Sequence, residues 1–353
     1  MKNLFKFSFV AAAIAMATAC DPVEQGPVDF PIEGNFTISA SYTAMVHGGG
    51  YGWRNGEQIG VFVTSEGVTQ ANLLYNPSDT SKVEIITGTD YWGDPYEMED
   101  RSIIGDVELT PAAEAAGYKK GEHVIYAYTP YVEGTTDLTA VPVADNAAQV
   151  ADENAWMTYS FGYAKTTEAI KEFSSANISL GDFKPLIYPL SVSSIELTEE
   201  QAETFKNKKV TSVKIISTEL DIALAGAKVN LETGEITGTK TKEIVITFPN
   251  GGKDVEFEAG FPPYFPDAYF IPTVTAYANI NPEADITVRQ EEYTTIENEE
   301  IVTKYKEVPC LKGSFTVVYT IDGVEYTATT LSSTQKLAAT EEYMAFPLLP
   351  ELQ

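Results

Sequence analysis

The chain has 353 residues, and its 51 acidic against 23 basic side chains give a formal charge of −28 at pH 7. That balance repels nucleic acid and anionic lipid and suits a surface facing water. The only cysteines are Cys20 and Cys310, so once Cys20 is modified no intramolecular disulfide can form, the core is held by burial, and Cys310 reads as an apolar filler.

Met1 to Cys20 has the make-up of a bacterial lipoprotein export signal: basic Lys2 and Lys6, an apolar run from Phe7 to Ala17, then Thr18-Ala19-Cys20. The apolar run is eleven residues long, well short of the roughly 18 to 20 that a spanning helix needs. Processing at such a site leaves an acylated cysteine, so the mature protein is expected to begin at a lipid-bearing Cys20 held on a membrane. About 330 residues then remain, enough for two domains with sizeable cores.

After a loose acidic tether, Asp21 to Glu33, the dominant period is two, the mark of half-buried strands. Phe36, Ile38, Ala40, Tyr42 and Ala44 alternate with Thr37, Ser39, Ser41 and Thr43, which predicts a first strand. Further strands are expected at Gln58 to Thr64, Val83 to Ile86, His123 to Thr129, Leu186 to Ile195, Val210 to Ser217, Glu243 to Phe248, Val255 to Glu258, Ala268 to Ala278 and Ser314 to Leu331. The last is read as a hairpin, because Asp322-Gly323 supplies the positive φ angles of a type I′ turn. Helices are expected only at Thr110 to Ala116 and at Thr198 to Lys206, the latter with a capping threonine and an acidic first turn. Many strands and few helices, with no short repeat or heptad run, predict an all-β chain of β-sandwiches. A domain boundary is placed at Gly181 to Pro185, giving a signal at 1–19, a lipidated segment at 20–54, an N-terminal sandwich at 55–183 and a C-terminal sandwich at 184–353.

Residues for catalysis are sparse. The two histidines are His47, in Val-His-Gly-Gly-Gly, and His123, inside a strand. The first reads as a flexible glycine linker, since no Gly-x-Ser-x-Gly elbow accompanies it. The acidic group Asp90, Asp94, Glu97, Glu99 and Asp100 matches no Ca²⁺ ligand spacing and reads as a solvated loop. Nothing in the residue order singles out a carboxylate pair for glycoside hydrolysis. No catalytic residue, metal or cofactor is assigned, and an enzyme is not expected. Two aromatic segments, Tyr91-Trp92 with Pro95-Tyr96 and Phe261 to Phe270, have flat faces that suit either sugar stacking or the ends of a sandwich.

Three segments resemble a family. Asn55-Gly56-Glu57-Gln58-Ile59-Gly60-Val61-Phe62-Val63 is similar to the glycine-acid-x-Ile-Gly-Val strand near the start of fimbrillin-family proteins, the subunits of type V pili. His123-Val-Ile-Tyr-Ala-Tyr-Thr-Pro-Tyr131 is similar to that family's Tyr-x-Tyr-x-Pro-Tyr strand end, and Leu224 to Gly234 to its Gly-x-x-Asn-x-x-x-Gly segment. They run in the family's order behind a lipoprotein signal. One departure is Pro185, where related proteins often carry histidine.

The resemblance implies two tandem transthyretin-like Greek-key sandwiches and assembly by donor-strand exchange. A lipid-anchored precursor reaches the outer membrane, an arginine-specific protease cuts near its N-terminus, the first strand leaves, and a strand from another subunit fills the groove. On this chain the cut falls at Arg54, the first of only three arginines, in a stretch from His47 to Gly56 that carries five glycines. Losing Phe36, Ile38, Ala40, Tyr42 and Ala44 would expose about 5 to 12 kcal/mol of buried apolar surface, an upper estimate. The donor candidate is the last segment, with Tyr343, Phe346, Leu348 and Leu349, whose two prolines suit an edge or a free tail; Val324 to Leu331 is the other. The expected partners are other fimbrial subunits in a homopolymer or mixed fibre, the protease, the outer membrane through Cys20, and a host or glycan ligand for adhesion. The expected place is the outer membrane and the surface fimbrium. A tip or anchor subunit and a monomeric glycan-binding surface lipoprotein are the other readings.

Overall fold

The computed structural model describes all residues except 1–30, 33–36, 42–45, 48–49, 52–56, 66–67, 78–83, 90–94, 101–106, 112–117, 120, 153, 171–176, 259–266, 298–299, 333–334, 337–342 and 353. The fold is all-β, with two short helices among the described residues.

Hydrogen-bonded strands form two runs that meet in one shared strand. The N-terminal run begins with Asn177–Asp182, which pairs parallel with Thr37–Ser41. It continues antiparallel through Val107–Pro111, Val68–Pro77, Ile59–Ser65, Gly121–Thr129 and Phe161–Ile170. The C-terminal run begins with Ala148–Val150, parallel to Glu243–Thr247, and proceeds antiparallel through Lys209–Ser217, Phe315–Ile321, Val324–Ser332 and Tyr343–Leu352. The last of these lies parallel to Lys184–Val192, which in turn pairs antiparallel with Val274–Ala278.

Lys184–Val192 is the shared strand. Its first half sets Lys184, Pro185 and Ile187 against Tyr163, Gly162 and Phe161, and its second half carries the C-terminal pairings. The expected boundary at 183/184 therefore falls at the entry of a strand that both runs use.

Periodicity explains the C-terminal sandwich. Phe315, Val317, Tyr319 and Ile321 are buried while the residues between them are half-exposed, the period-two pattern of a strand with one face inward. They share one core with Val213, Ile215, Ile244, Ile246, Val274, Ala276, Phe346 and Leu348. Both ends of the run feed that cluster, so the run folds over on itself as two layers. Glu199–Phe205 closes it as a helix: Thr198 accepts the Gln201 N–H at 3.3 Å, Gln201 accepts the Thr198 N–H at 2.9 Å, and Ala202 and Phe205 point inward. The capping threonine and acidic first turn are those expected from the sequence, and Gln201 adds the return bond of a capping box. The Asp322-Gly323 turn has φ angles of 48° and 81°, as a type I′ hairpin requires.

In the N-terminal run, residues 59–63 and 125–129 are buried on both faces. Ile59, Val61, Ile125 and Ala127 point one way; Phe62, Tyr126 and Tyr128 point the other. The second face is covered by a three-stranded sheet of Val141–Pro142, Ala223–Asn230 and Glu235–Thr241, through Val141, Leu224, Ala227, Val229 and Leu231. The halves are thus interlocked: residues from 223 to 241 cover the N-terminal sheet, while Ala148–Val150 serves the C-terminal one.

Four expectations change. Thr110 and Pro111, where the helix to Ala116 is expected to open, end a strand, Val107–Pro111, because strand neighbours on both sides override local propensity; the rest of that expected helix, residues 112–116, lies outside the described residues. Val46–His47 and Gly50–Tyr51 pair as a short hairpin where a flexible linker is expected. Glu97, Glu99 and Asp100 lie in Pro95–Asp100, paired with Glu84–Thr89, rather than in a loop. The strand expected from Ala268 to Ala278 is two strands, Ala268–Ile271 and Val274–Ala278, broken at Pro272. Cys310 is buried and free.

Candidate assembly strands

The three segments that carry the family resemblance converge. Ile59–Ser65 and Gly121–Thr129 are direct neighbours, with Val61 opposite Ala127 and Gly60 opposite Tyr128. A Cβ on Gly60 would fall inside the Tyr128 ring, so only glycine permits this approach. Tyr128 also stacks on Phe161 at 6.0 Å and 18°, and its hydroxyl accepts the Val132 N–H at 3.2 Å. In the third segment the Asn230 side chain accepts the Glu232 N–H at 2.9 Å and Gly234 takes φ 75°, turning the chain between Ala223–Asn230 and Glu235–Thr241. A Cβ on Gly234 would meet the hydroxyl of Tyr163. These motif residues are placed where close backbone approach and turning demand them.

Burial governs the titrating groups nearby. It pushes the Tyr126 phenol up, with the Glu232 carboxylate adding to the effect, and does the same to Tyr163. His123 and Glu57 are buried in the same sheet region, Glu57 beside a cavity of about 190 Å³ that Trp156 and Tyr131 also line. Among the described residues no group of three or more His, Cys, Asp or Glu side chains is gathered as a metal would need.

Cys20, Phe36, Tyr42, Ala44 and Arg54 lie outside the described residues. Ile38 and Ala40 lie in Thr37–Ser41, which is an interior strand. Ile38 is opposite Ile178 on one side and Leu109 on the other, and Ala40 is opposite Gly181 and Val107. Taking such a strand away leaves two edges facing each other across a slot one strand wide.

At the other end of the chain, Tyr343–Leu352 is also interior. Phe346, Pro347 and Leu348 pair with Leu190, Ser191 and Val192, while Leu348 to Leu352 pair with Ser332 back to Ala328. Phe346 and Leu348 are 0% exposed and Leu349 is 47% exposed. The prolines do not make this an edge, for a reason of phase. The Ser193 N–H donates to the Leu348 carbonyl, so Leu348 and Pro350 direct their backbone groups toward the shared strand. Pro350 then sits opposite Thr330 in a pair that exchanges no hydrogen bonds, so its missing N–H takes no bond from the pairing with Val324–Ser332. Val324–Ser332, the other donor candidate, is likewise paired on both sides.

No family model and no curated protein matches the chain. It is similar to solved structures of a candidate cell adhesion protein from Bacteroides uniformis, at 13% identity and a TM-score of 0.42, over 92% of this chain and 99% of that one. A second candidate cell adhesion protein, from Bacteroides ovatus, gives 12% identity, a TM-score of 0.41 and coverage of 91% and 96%. A fimbrial protein from Bacteroides ovatus gives 14%, a TM-score of 0.27 and coverage of 78% and 47%.

Proposed function

We propose that the chain is a structural subunit of a surface fimbria, made as a lipid-anchored precursor at Cys20, cut at Arg54 and joined to its neighbours by strand exchange. The observation that carries this reading is the interior position of Thr37–Ser41, upstream of Arg54 and held between Asn177–Asp182 and Val107–Pro111. Proteolysis at Arg54 followed by loss of that strand leaves a slot with hydrogen-bonding groups on both walls, and another subunit's strand is the natural filler. The motifs shared with fimbrillins support it. The names of the solved neighbours agree with it, at TM-scores too low to add to it. No step requires a catalytic residue, and a surface role in adhesion follows from the fibre.

A second reading, the tip subunit, draws on the C-terminal strand. Phe346 and Leu348 are fully buried in the chain's own sandwich, and withdrawing them costs about 3 to 6 kcal/mol before any donation. A subunit that accepts a strand and keeps its own last strand ends a fibre.

The test is digestion of the Cys20→Ser precursor with an arginine-specific protease, followed by intact mass and sizing. A single cut after Arg54 with SDS-resistant ladders supports a stalk subunit. A cut product that stays monomeric alone but takes up another subunit's strand supports a tip. Resistance at Arg54, or a cut product that remains a folded monomer and takes up nothing, overturns both.

A further inference from the structure

The C-terminal sandwich has an open seam between Ala148–Val150 and Val274–Ala278, and side chains stitch only part of it. Gln149 accepts the Tyr277 N–H at 3.0 Å on its Oε1 and donates from Nε2 to the Tyr277 carbonyl at 2.8 Å, where Asn146 also donates at 3.1 Å. Alternate residues of an antiparallel pair direct their backbone groups to opposite sides. Thr275 therefore directs its N–H and C=O to the same side as Tyr277, away from Lys184–Val192, and among the described residues nothing bonds them there.

These groups open onto a cleft of about 530 Å³. Half-buried Trp156 and Phe248 line it, and exposed Asp152, Asn250 and Lys253 stand at its rim. The rim is organised in advance. Asp152 Oδ1 accepts the Asn154 N–H at 2.9 Å, which holds the carboxylate. Asn250, at φ 56°, sits in a turn closed by the Gly252 N–H on the Pro249 carbonyl at 3.2 Å.

The chemistry of the lining selects a ligand class. Asp152 and the Thr275 carbonyl accept, the Thr275 N–H and Lys253 donate, and Asn250 does both. This mixture, beside two aromatic side chains, matches a ring with many hydroxyls and one apolar C–H face. The volume suits a small ligand. Lys253 is already paired with Glu256 at 2.8 Å, so with Asp152 at the rim the cleft does not select an anion. An extended peptide fits less well, because strand addition draws on successive alternate residues. Here Gln149 occupies Tyr277, and the edge breaks at Pro272, leaving little beyond Thr275.

We propose that this cleft is a carbohydrate site for a neutral pyranose, its ring face against Trp156 and Phe248 and its hydroxyls bonded to Asp152, Asn250 and the Thr275 backbone. The site lies in the C-terminal sandwich and is independent of strand exchange. The test is saturation-transfer NMR on the full-length chain with neutral hexoses, N-acetylhexosamines and short oligosaccharides of both. The expected result is transfer to ring C–H protons, with affinity weakened about tenfold or more by Asp152→Ala and by Asn250→Gly. The glycine variant accepts the positive φ without strain, so it retains the turn even where the alanine variant disturbs its loop. The proposal is overturned by absence of transfer from every sugar, by affinity unchanged in both variants, or by an extended peptide library that binds at the cleft where the sugars do not.

Discussion

Tyr319 carries its hydroxyl into the C-terminal core, where it has no hydrogen-bond partner among the described residues. Leaving such a group unpaired costs about 1 to 3 kcal/mol. Tyr319→Phe is therefore expected to raise stability by about 1 kcal/mol, seen as a higher urea midpoint at unchanged slope. Burial also pushes the Tyr319 pKa up from its ordinary value of 10.0. Above pH 10 the unfolded chain loses this proton before the folded one does. Stability is thus fully present below pH 10 and falls as pH rises beyond it, by up to about 1.4 kcal/mol per pH unit. Urea midpoints between pH 8 and 11 (about that range) should decline less steeply in Tyr319→Phe, and equal slopes would refute the assignment. Tyr128 presents the opposite case, since its hydroxyl accepts the Val132 N–H. There the phenylalanine variant is expected to lose about 1 kcal/mol. Sequence places both tyrosines in strands, but not which hydroxyl finds a partner; that depends on the turn after Thr129 in one case and on the opposing layer in the other.

Among elements, the seam at Gln149 is the sharpest test of how a short strand is held. Ala148–Val150 has only three residues, and the Gln149 side chain supplies bonds to Tyr277 that a neighbouring strand would otherwise make. Gln149→Leu keeps the volume and removes both amide bonds to the Tyr277 backbone, and is expected to cost about 2 kcal/mol in denaturant unfolding. A loss below a few tenths would mean that water replaces the amide without penalty. Elements with one buried face were legible from sequence: Phe315–Ile321, the Asp322-Gly323 turn and the Thr198 cap all announce themselves locally. The long ribbon of Ile286–Glu297 against Glu300–Leu311 was not. Its middle pairs join charged, threonine and tyrosine residues, such as Glu292 with Tyr305 and Thr294 with Thr303, while apolar pairs stand at its ends, Ile286 with Leu311 and Ile296 with Ile301; with Val288, Tyr293 and Tyr305 exposed no apolar period runs through it. Ala148–Val150 is too short to show a period at all. The cleft beside it was equally hidden, because Asp152, Asn250 and Thr275 come together only when the sandwich folds over. Of the two aromatic segments singled out in the sequence, Tyr91, Trp92 and residues 261–266 lie outside the described residues, while Tyr269 packs on Phe257 at 5.0 Å.

At the scale of the molecule, the shared strand Lys184–Val192 ties the last strand of the chain to both sandwiches. Its Leu190 and Val192 lie opposite Phe346 and Leu348, and three residues earlier Ile187 lies opposite Phe161 of the N-terminal sheet. Ala223–Thr241 and Ala148–Val150 cross in opposite directions between the halves, so 55–183 and 184–353 are not expected to fold as separate fragments. The C-terminal strand is the element whose removal asks the functional question most directly. A chain ending at Glu342 loses Phe346 and Leu348 from the core, about 3 to 6 kcal/mol of burial, a large part of the roughly 5 to 15 kcal/mol that holds a domain together. The truncated chain is expected to unfold at distinctly lower urea, and a synthetic peptide of Tyr343 to Gln353 added in trans is expected to restore the midpoint in proportion to the logarithm of its concentration. Restoration would establish that a C-terminal strand can leave one chain and fill the slot of another with register intact, the property a stalk subunit needs. Failure of the peptide to restore a destabilised chain would mean that the strand works only when covalently attached, leaving the fibre end as the position this fold suits. An unchanged midpoint on truncation would contradict the burial of Phe346 and Leu348 itself.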